Sequence, residues 1–145
     1  MRDAMGGTVA LVIIVVFIVI ALGYMAFNVN YTKAFRMKNK IISVYNDYNG
    51  NCDSECQGKI KDYASTLGYS LGNNMTCNGS SGYKLDEKGL YCYKKVYVEN
   101  FGSDADNRSF YYKVITKINV QVPIINNVLD LKVFYITGDT KTFQE

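Results

Sequence analysis

The sequence predicts an α+β fold in which one long N-terminal helix packs on a small antiparallel β-meander. Three observations lead to this prediction. An uncharged apolar run fills residues 9–27, apolar residues then recur every three or four positions as far as Tyr48, and from Leu90 apolar and polar residues alternate. The first two patterns are typical of a helix with a membrane half and an amphipathic half, and the third is typical of strands.

The apolar run has the length and composition of a membrane-spanning helix. It reads VALVIIVVFIVIALGYMAF, and no charged residue occurs between Asp3 and Lys33. At about 1.5 Å per residue such a helix spans roughly 30 Å, the thickness of a bilayer's hydrocarbon. We therefore predict a transmembrane helix over residues 8–28. The side chains expected to contact lipid or other subunits are Val9, Leu11, Val12, Ile13, Ile14, Val16, Phe17, Ile20, Tyr24 and Phe27.

Residues 1–7 form a short leader before this helix. The leader contains one basic residue, one acidic residue and the pair Gly6-Gly7. A cleaved secretory signal has a shorter apolar centre and a small-x-small site after it, so we favour an uncleaved anchor. If a leader is removed, the bond between Gly7 and Thr8 is the expected site.

The helix is predicted to continue past the membrane as an amphipathic segment over residues 29–48. No Gly or Pro occurs from Asn28 to Asp47, and Asn49-Gly50-Asn51 then supplies residues that accept a left-handed backbone. We expect one helix over about residues 6–48, followed by a folded domain over residues 49–145.

A basic cluster follows the apolar run and bears on topology. It consists of Lys33, Arg36, Lys38 and Lys40, which the positive-inside rule would assign to the cytoplasm. The cysteines of the following domain indicate the opposite, because disulfides form in oxidising compartments. We expect a cytoplasmic N-terminus and an extracytoplasmic domain, with the cluster as a solvated helix face.

Four cysteines, Cys52, Cys56, Cys77 and Cys92, all lie after the apolar run. An even number in a small, membrane-tethered domain predicts two disulfides. Their spacing matches no zinc-binding pattern, and the chain has no His to complete one. Three pairings are open; the sequence-local pairs Cys52–Cys56 and Cys77–Cys92 are favoured.

A short second helix is predicted over residues 52–68, with Ser54 and Gln57 as a capping box and Gly68 as the C-cap. A Gly-, Asn- and Ser-rich loop over residues 69–89 follows. The antiparallel sheet is predicted over residues 90–143, and Gly138 is expected to break a strand. The expected strands are Leu90–Glu99, Phe110–Val122, Leu129–Ile136 and a short edge at Thr140–Phe143.

The composition argues against an enzyme. Without His, the Ser-His-Asp and Cys-His constellations are excluded, and we expect no catalytic residue, metal or cofactor. The acidic groups Asp86-Glu87 and Asp104/Asp106 are the only acidic clusters that could do acid–base work or bind a cation. Asp104-Ala-Asp106-Asn107 matches part of a calcium loop, but a solvated turn is the simpler interpretation. With 16 Lys+Arg against 13 Asp+Glu, nothing points to nucleic acid. No small-molecule substrate is expected.

The whole layout resembles the type IV pilin and pseudopilin superfamily, and within it the TadE-like minor pilins of tight-adherence pili. The residues that carry the resemblance are Gly6-Gly7 at the leader end, the apolar run Thr8–Phe27, and two segments near the C-terminus, VQVPI (residues 120–124) and YITGDTK (residues 135–141). The resemblance implies a lollipop-shaped subunit of a surface filament. Its partners would be membrane lipid, copies of itself or other pilin-like subunits, and a pilus assembly platform.

The chain departs from that family's pattern at one position. Pilins of this class typically carry a Glu five residues after the cleavage glycine, and this carboxylate pairs with a neighbour's amino terminus. Counted from Gly7 the position is Val12, and counted from Gly6 it is Leu11. Two hypotheses therefore remain. The chain is either a structural pilus subunit whose outward-facing sheet and loop would carry adhesive contacts, or a single-pass extracytoplasmic accessory protein that never polymerises.

Overall fold

The computed structural model describes residues 2–69, 77, 82–98, 108–118 and 134–144; for residues 2–5 it describes only the backbone. Its longest element is one helix, α1 (Arg2–Asp47). The chain folds as α+β, as predicted. The remaining elements are helix α2 (Ser54–Leu67) and the strands β1 (Lys84–Leu85), β2 (Cys92–Val98), β3 (Ser109–Ile118), β4 (Phe134–Asp139) and β5 (Phe143–Gln144).

Helix α1 begins four residues earlier than predicted and ends within one residue of the predicted position. The turn after it uses the predicted left-handed residues, Asn49 with φ 49° and Gly50 with φ 80°. Gly50 is also required by packing, because a Cβ there would lie 2.9 Å from the Cδ2 atom of Phe143. This turn lets α2 fold back along α1.

Helix α2 is capped by Asp53 and not by the predicted Ser54. The Asp53 side chain accepts a hydrogen bond from the backbone N–H of Cys56 at 3.0 Å. Either residue suits an N-cap chemically, but Asp53 has the extended backbone that a cap needs, whereas Ser54 is already helical. Gly68 forms the predicted C-cap with φ 63°. The buried face of α2 packs on α1 through Cys56, Ile60 and Ala64.

The sheet is antiparallel throughout, in the order β1-β2-β3-β4, and β5 pairs with β3 beyond the end of β4. Strand β3 has one buried face, formed by Phe110, Val114, Thr116 and Ile118, in keeping with the alternation in its sequence. Strand β1 lies in the predicted loop, where sequence analysis expected no strand. It forms because a tight turn after Leu85 returns the chain directly to β2.

The prediction that Gly138 breaks a strand is wrong. Strand β4 runs through Gly138, which pairs with Val114 of β3. A Cβ at this position would lie 2.7 Å from Cδ1 of Ile42 and 2.8 Å from Cδ of Lys38. Glycine is present here because α1 crosses β4 closely, and not because the strand ends.

Several predictions concern residues outside the described ranges. They include the ends of the first two predicted strands (Glu99 and residues 119–122), Pro123, the start of the third predicted strand (129–133), most of the 69–89 loop, and the acidic pair Asp104/Asp106.

The core lies between the second half of α1 and the sheet. A stripe of α1 at helical spacing is completely or almost completely buried: Ala34, Met37, Ile41, Val44 and Tyr45. Strand β3 runs antiparallel to this stripe, so Thr116 lies beside Ala34 and donates a hydrogen bond to its carbonyl oxygen at 3.1 Å. Tyr112 lies beside Tyr45, with ring centroids 5.0 Å apart. From about residue 34 onward, the helix is therefore the element against which the rest of the core packs.

Candidate functional site

The first half of α1 projects beyond the folded domain. None of the described side chains from Val9 to Met25 is buried. The large apolar ones among them are between 49% (Ile18) and 72% (Phe17) exposed, except Val19, which is of intermediate exposure. In the described part of the chain, α1 is the one helix long and apolar enough to cross a membrane, by length and composition. We take this exposed half of α1 as the candidate functional site.

The predicted contact residues lie on every side of this exposed half. The consecutive residues Leu11, Val12, Ile13 and Ile14 are each 58–63% exposed, and successive helical residues point about 100° apart. No face is polar, and none is buried against the part of the domain that the structure describes. Such a surface requires an apolar environment all round, which either lipid or neighbouring apolar helices can provide.

Phe27 differs from the other predicted contact residues. It is partly buried and packs edge-on against Phe134 at the start of β4, with ring centroids 5.7 Å apart. It therefore marks the first contact between helix and sheet. The nine other predicted residues, from Val9 to Tyr24, remain free for contacts outside the chain.

The leader end lies within α1. Gly6, Gly7 and Thr8 are helical and exposed, and a Cβ added at either glycine would meet nothing within 4 Å. Nothing inside the described chain therefore requires glycine at these two positions. Val12, at the position where pilins typically carry Glu, is 58% exposed and offers no group for charge pairing.

Both disulfides form between the sequence-local partners. Cys52–Cys56 joins the turn after α1 to the first turn of α2, and Cys77–Cys92 ties the 69–89 loop to the start of β2. Cys56 and Cys92 are buried in the core. Each cross-link therefore joins a partly buried cysteine, Cys52 or Cys77, to a cysteine of the packed core.

A cluster of tyrosines fills the end of the core farthest from the exposed half of α1. The hydroxyls of Tyr45 and Tyr91 are 3.2 Å apart, and Tyr93 and Tyr112 pack around them. Burial raises the pKa of Tyr45 from 10.0 to about 12, and burial together with the nearby Tyr45 raises the pKa of Tyr91 further. These hydroxyls stay protonated, so they act as packing and hydrogen-bonding groups.

Asp86, one of the predicted acidic candidates, lies in the turn between β1 and β2. It is almost fully buried, and this burial raises its pKa. Its carboxylate accepts a hydrogen bond from the backbone N–H of Lys88 at 3.1 Å, which holds the turn. Glu87 is exposed. Within the described residues, no group of three or more His, Cys, Asp or Glu side chains comes together.

Two surfaces just beyond the exposed half were not identified from the sequence. On one side of α1, Phe27, Tyr31 and Phe35 stack in succession, with neighbouring ring centroids 6.3 Å apart. On another side, basic residues of α1 meet the end of α2 in a groove. The i, i+4, i+8 spacing of the aromatic residues was the available signal for the first surface. The second depends on contacts between distant segments.

Comparisons with protein-family models, with curated proteins and with solved structures find no match to this chain. The layout itself, a long apolar N-terminal helix packed on an antiparallel sheet, is pilin-like.

Proposed function

We propose that this chain is a structural subunit of a surface pilus or pseudopilus, similar to the TadE-like minor pilins, which is held in the membrane by α1 before assembly. The division of α1 into two halves carries the proposal. From residue 34 the helix is built into its own core, whereas residues 9–25 are apolar on all sides and contact no part of the described domain. A chain with such a surface requires either lipid or partners.

Lipid and a filament core would satisfy the same surface. Val and Ile side chains are stiff at χ1, so they lose little conformational freedom when they interdigitate between helices. An exposed side chain that moves from lipid into a filament core stays shielded from water. Dispersion contacts between close-packed helices then favour assembly. With Val12 in place of an acidic residue, packing rather than charge pairing would hold the subunits together.

The disulfides support an extracytoplasmic position for the domain. Stable structural disulfides are typical of oxidising compartments, and both cross-links lie on the C-terminal side of the apolar helix. We therefore propose a single-pass protein with a short cytoplasmic N-terminus. The sheet and the 69–89 loop would face outward in a filament and carry any adhesive contacts. The proposed partners are copies of the chain or other pilin-like subunits and an assembly platform.

A second candidate is a membrane-anchored accessory protein that binds partners outside the cytoplasm without polymerising. Val12 favours it, because standard assembly uses a carboxylate at this position and a neutral side chain supplies none. The two candidates share the membrane anchor and the topology. They differ in one respect: in a filament subunit the exposed half of α1 exchanges its lipid contacts for contacts with α1 of other copies, whereas in an accessory protein it stays in lipid.

Photo-crosslinking in living cells tests the choice between them. A photoreactive amino acid replaces Val16 in the exposed half, and a matched control replaces Lys61, an exposed residue of α2. For a filament subunit, we expect sheared surface material to contain filaments by electron microscopy. Only the Val16 position should then give a ladder of crosslinked copies, and amino-terminal sequencing of this material tests cleavage at Gly7.

A chain that stays in the membrane fraction as a monomer, with no crosslinked copies and no presence in filaments, would exclude the pilus subunit and support the accessory protein. Reporter fusions at Glu145 test the shared topology. If a reporter that works only in the cytoplasm were active when fused at Glu145, the extracytoplasmic position of the domain, which both candidates share, would be contradicted.

A further inference from the structure

A shallow groove lies on α1 just past the exposed half, where the C-terminal end of α2 meets it. Among the residues that the structure describes, its charged groups are two cations, and no acidic side chain lines it. The lining residues are Asn28, Val29, Thr32, Lys33, Arg36 and Leu67.

The groove lies at the height of lipid headgroups when the exposed half occupies the hydrocarbon. At about 1.5 Å per residue, Lys33 and Arg36 lie roughly 9 Å and 14 Å beyond Phe27 along the helix axis. The headgroup layer adds about 5–8 Å on each side of the hydrocarbon. Side chains of a helix lean toward its N-terminus, which is the membrane side here, so both long cationic side chains can reach this layer.

The two cations differ in what they already bind. The Lys33 ammonium donates to the carbonyl oxygen of Gly68 at 3.3 Å, which places one of its three N–H groups at the negative end of α2. Arg36 is exposed and has no hydrogen-bond, ion-pair or ring partner among the described residues. Within the part of the chain that the structure describes, the groove therefore presents an exposed guanidinium next to an ammonium that the fold holds in place.

We propose that this groove binds the phosphate of an anionic phospholipid in the leaflet next to the folded domain. The Arg36 guanidinium would donate to two phosphate oxygens and the Lys33 ammonium to a third. Val29, which is 55% exposed, and Leu67 supply apolar surface for the upper part of an acyl chain. The inference rests on the membrane anchoring in the proposed function.

Lipid binding would give Lys33 and Arg36, two of the four residues of the basic cluster, a role that does not depend on topology. Basic residues next to a membrane helix are attracted to anionic headgroups on whichever side they lie. A lipid held between α1 and the end of α2 would fix how the domain sits on the membrane. The bound lipid would also fix the orientation of α1 about its own axis before the subunit assembles.

Native mass spectrometry of the full-length chain in detergent tests the proposal, with phosphatidylglycerol and phosphatidylcholine offered at equal concentration. We expect phosphatidylglycerol to bind preferentially. Each of Lys33→Gln and Arg36→Gln should weaken its binding roughly fivefold, and the double variant roughly 30-fold, since each basic residue near an anionic surface contributes about 1 kcal/mol. Arg36→Lys, which keeps the charge, should retain most of the preference.

The matched control is the double variant Lys84→Gln/Lys88→Gln. It removes the same charge from two exposed residues of the β1–β2 hairpin, neither of which lines the groove. This control should bind phosphatidylglycerol as the unaltered chain does. Near-ultraviolet circular dichroism verifies that each variant is folded, and the other single glutamine variant keeps the test decisive if one of the two misfolds.

Equal binding of the two lipids, or equal losses in the groove and control variants, would overturn the proposal. Binding of inorganic phosphate with the same affinity and the same dependence on Arg36 would assign the groove to a free anion instead. Alkaline carbonate extraction separates this inference from the proposed function. A chain released by carbonate contradicts both, whereas a chain retained without lipid preference contradicts only the lipid site.

Discussion

At the scale of single residues, close packing between α1 and the sheet determines which side chains are tolerated. Gly138 is the clearest case, because the helix crosses β4 so closely that a Cβ would meet Ile42 and Lys38 at 2.7 and 2.8 Å. Gly58 in α2 is the opposite case, since a Cβ there meets nothing within 4 Å. The same residue type is therefore required at one position and costly at the other.

Substitution of these two glycines should change stability in opposite directions. Gly138→Val should lower the free energy of unfolding by about 1–3 kcal/mol, since the helix must move away from β4. Gly58→Ala should raise it by about 0.5–1 kcal/mol, since it improves helix propensity without a clash. Urea unfolding followed by circular dichroism measures both. A neutral Gly138→Val would contradict the close crossing of α1 and β4.

The buried tyrosines predict a loss of stability at alkaline pH. The pKa of Tyr45 is about 12 in the folded chain and 10.0 when exposed, so above pH 10 the unfolded chain binds fewer protons than the folded one. Stability is therefore complete below pH 10 and falls as the pH rises toward 12. Urea unfolding from pH 8 to 12, with tyrosinate absorbance as a second signal, measures the fall.

The double variant Tyr45→Phe/Tyr91→Phe serves as the control for this pH dependence and should flatten it. Tyr91→Phe alone should cost about 1–2 kcal/mol at neutral pH, because it leaves the buried Tyr45 hydroxyl without its partner. A pH profile unchanged in the double variant would show that other groups cause the alkaline loss.

At the scale of elements, long periodic segments were predictable and short or contact-dependent ones were not. The second half of α1 and strand β3 repeat their patterns over many residues, so their buried faces could be read from the sequence. Strand β1 has only two residues, too few for a period. Gly138 was misread because a glycine in a strand usually weakens it. The groove beside Arg36 was missed because Leu67 reaches it from 31 positions further along the chain.

The two disulfides should contribute unequally to stability. The loop closed by Cys77–Cys92 is longer than that closed by Cys52–Cys56, with sequence separations of 15 and 4. Loop-closure entropy then predicts a loss of about 3 kcal/mol for Cys77→Ala/Cys92→Ala and about 2 kcal/mol for Cys52→Ala/Cys56→Ala. Each pair has one buried member, so the cavity costs are matched. Thermal unfolding of both double variants compares them, and a reversed order would contradict the prediction.

At the scale of the whole molecule, α1 belongs to two environments. Its first half is not buried against any described residue of the folded domain, and its second half is the surface on which α2 and the sheet pack. The stability of the domain and the attachment of the chain to membranes or filaments therefore depend on different residues of one helix. Selection for packing in one half need not disturb the other.

This separation predicts the result of shortening the chain from its N-terminus. Removal of residues 1–25 should leave the thermal midpoint of the domain, produced in an oxidising compartment, within a few degrees of the full-length value. The reason is that the first core contacts begin at Phe27 and Ala34. The shortened chain should also leave the membrane fraction. Removal of residues 1–37 is the control; it deletes Ala34 and Met37, both 0% exposed, and should prevent cooperative unfolding. If the first truncation also abolished cooperative unfolding, the exposed half would have to take part in folding.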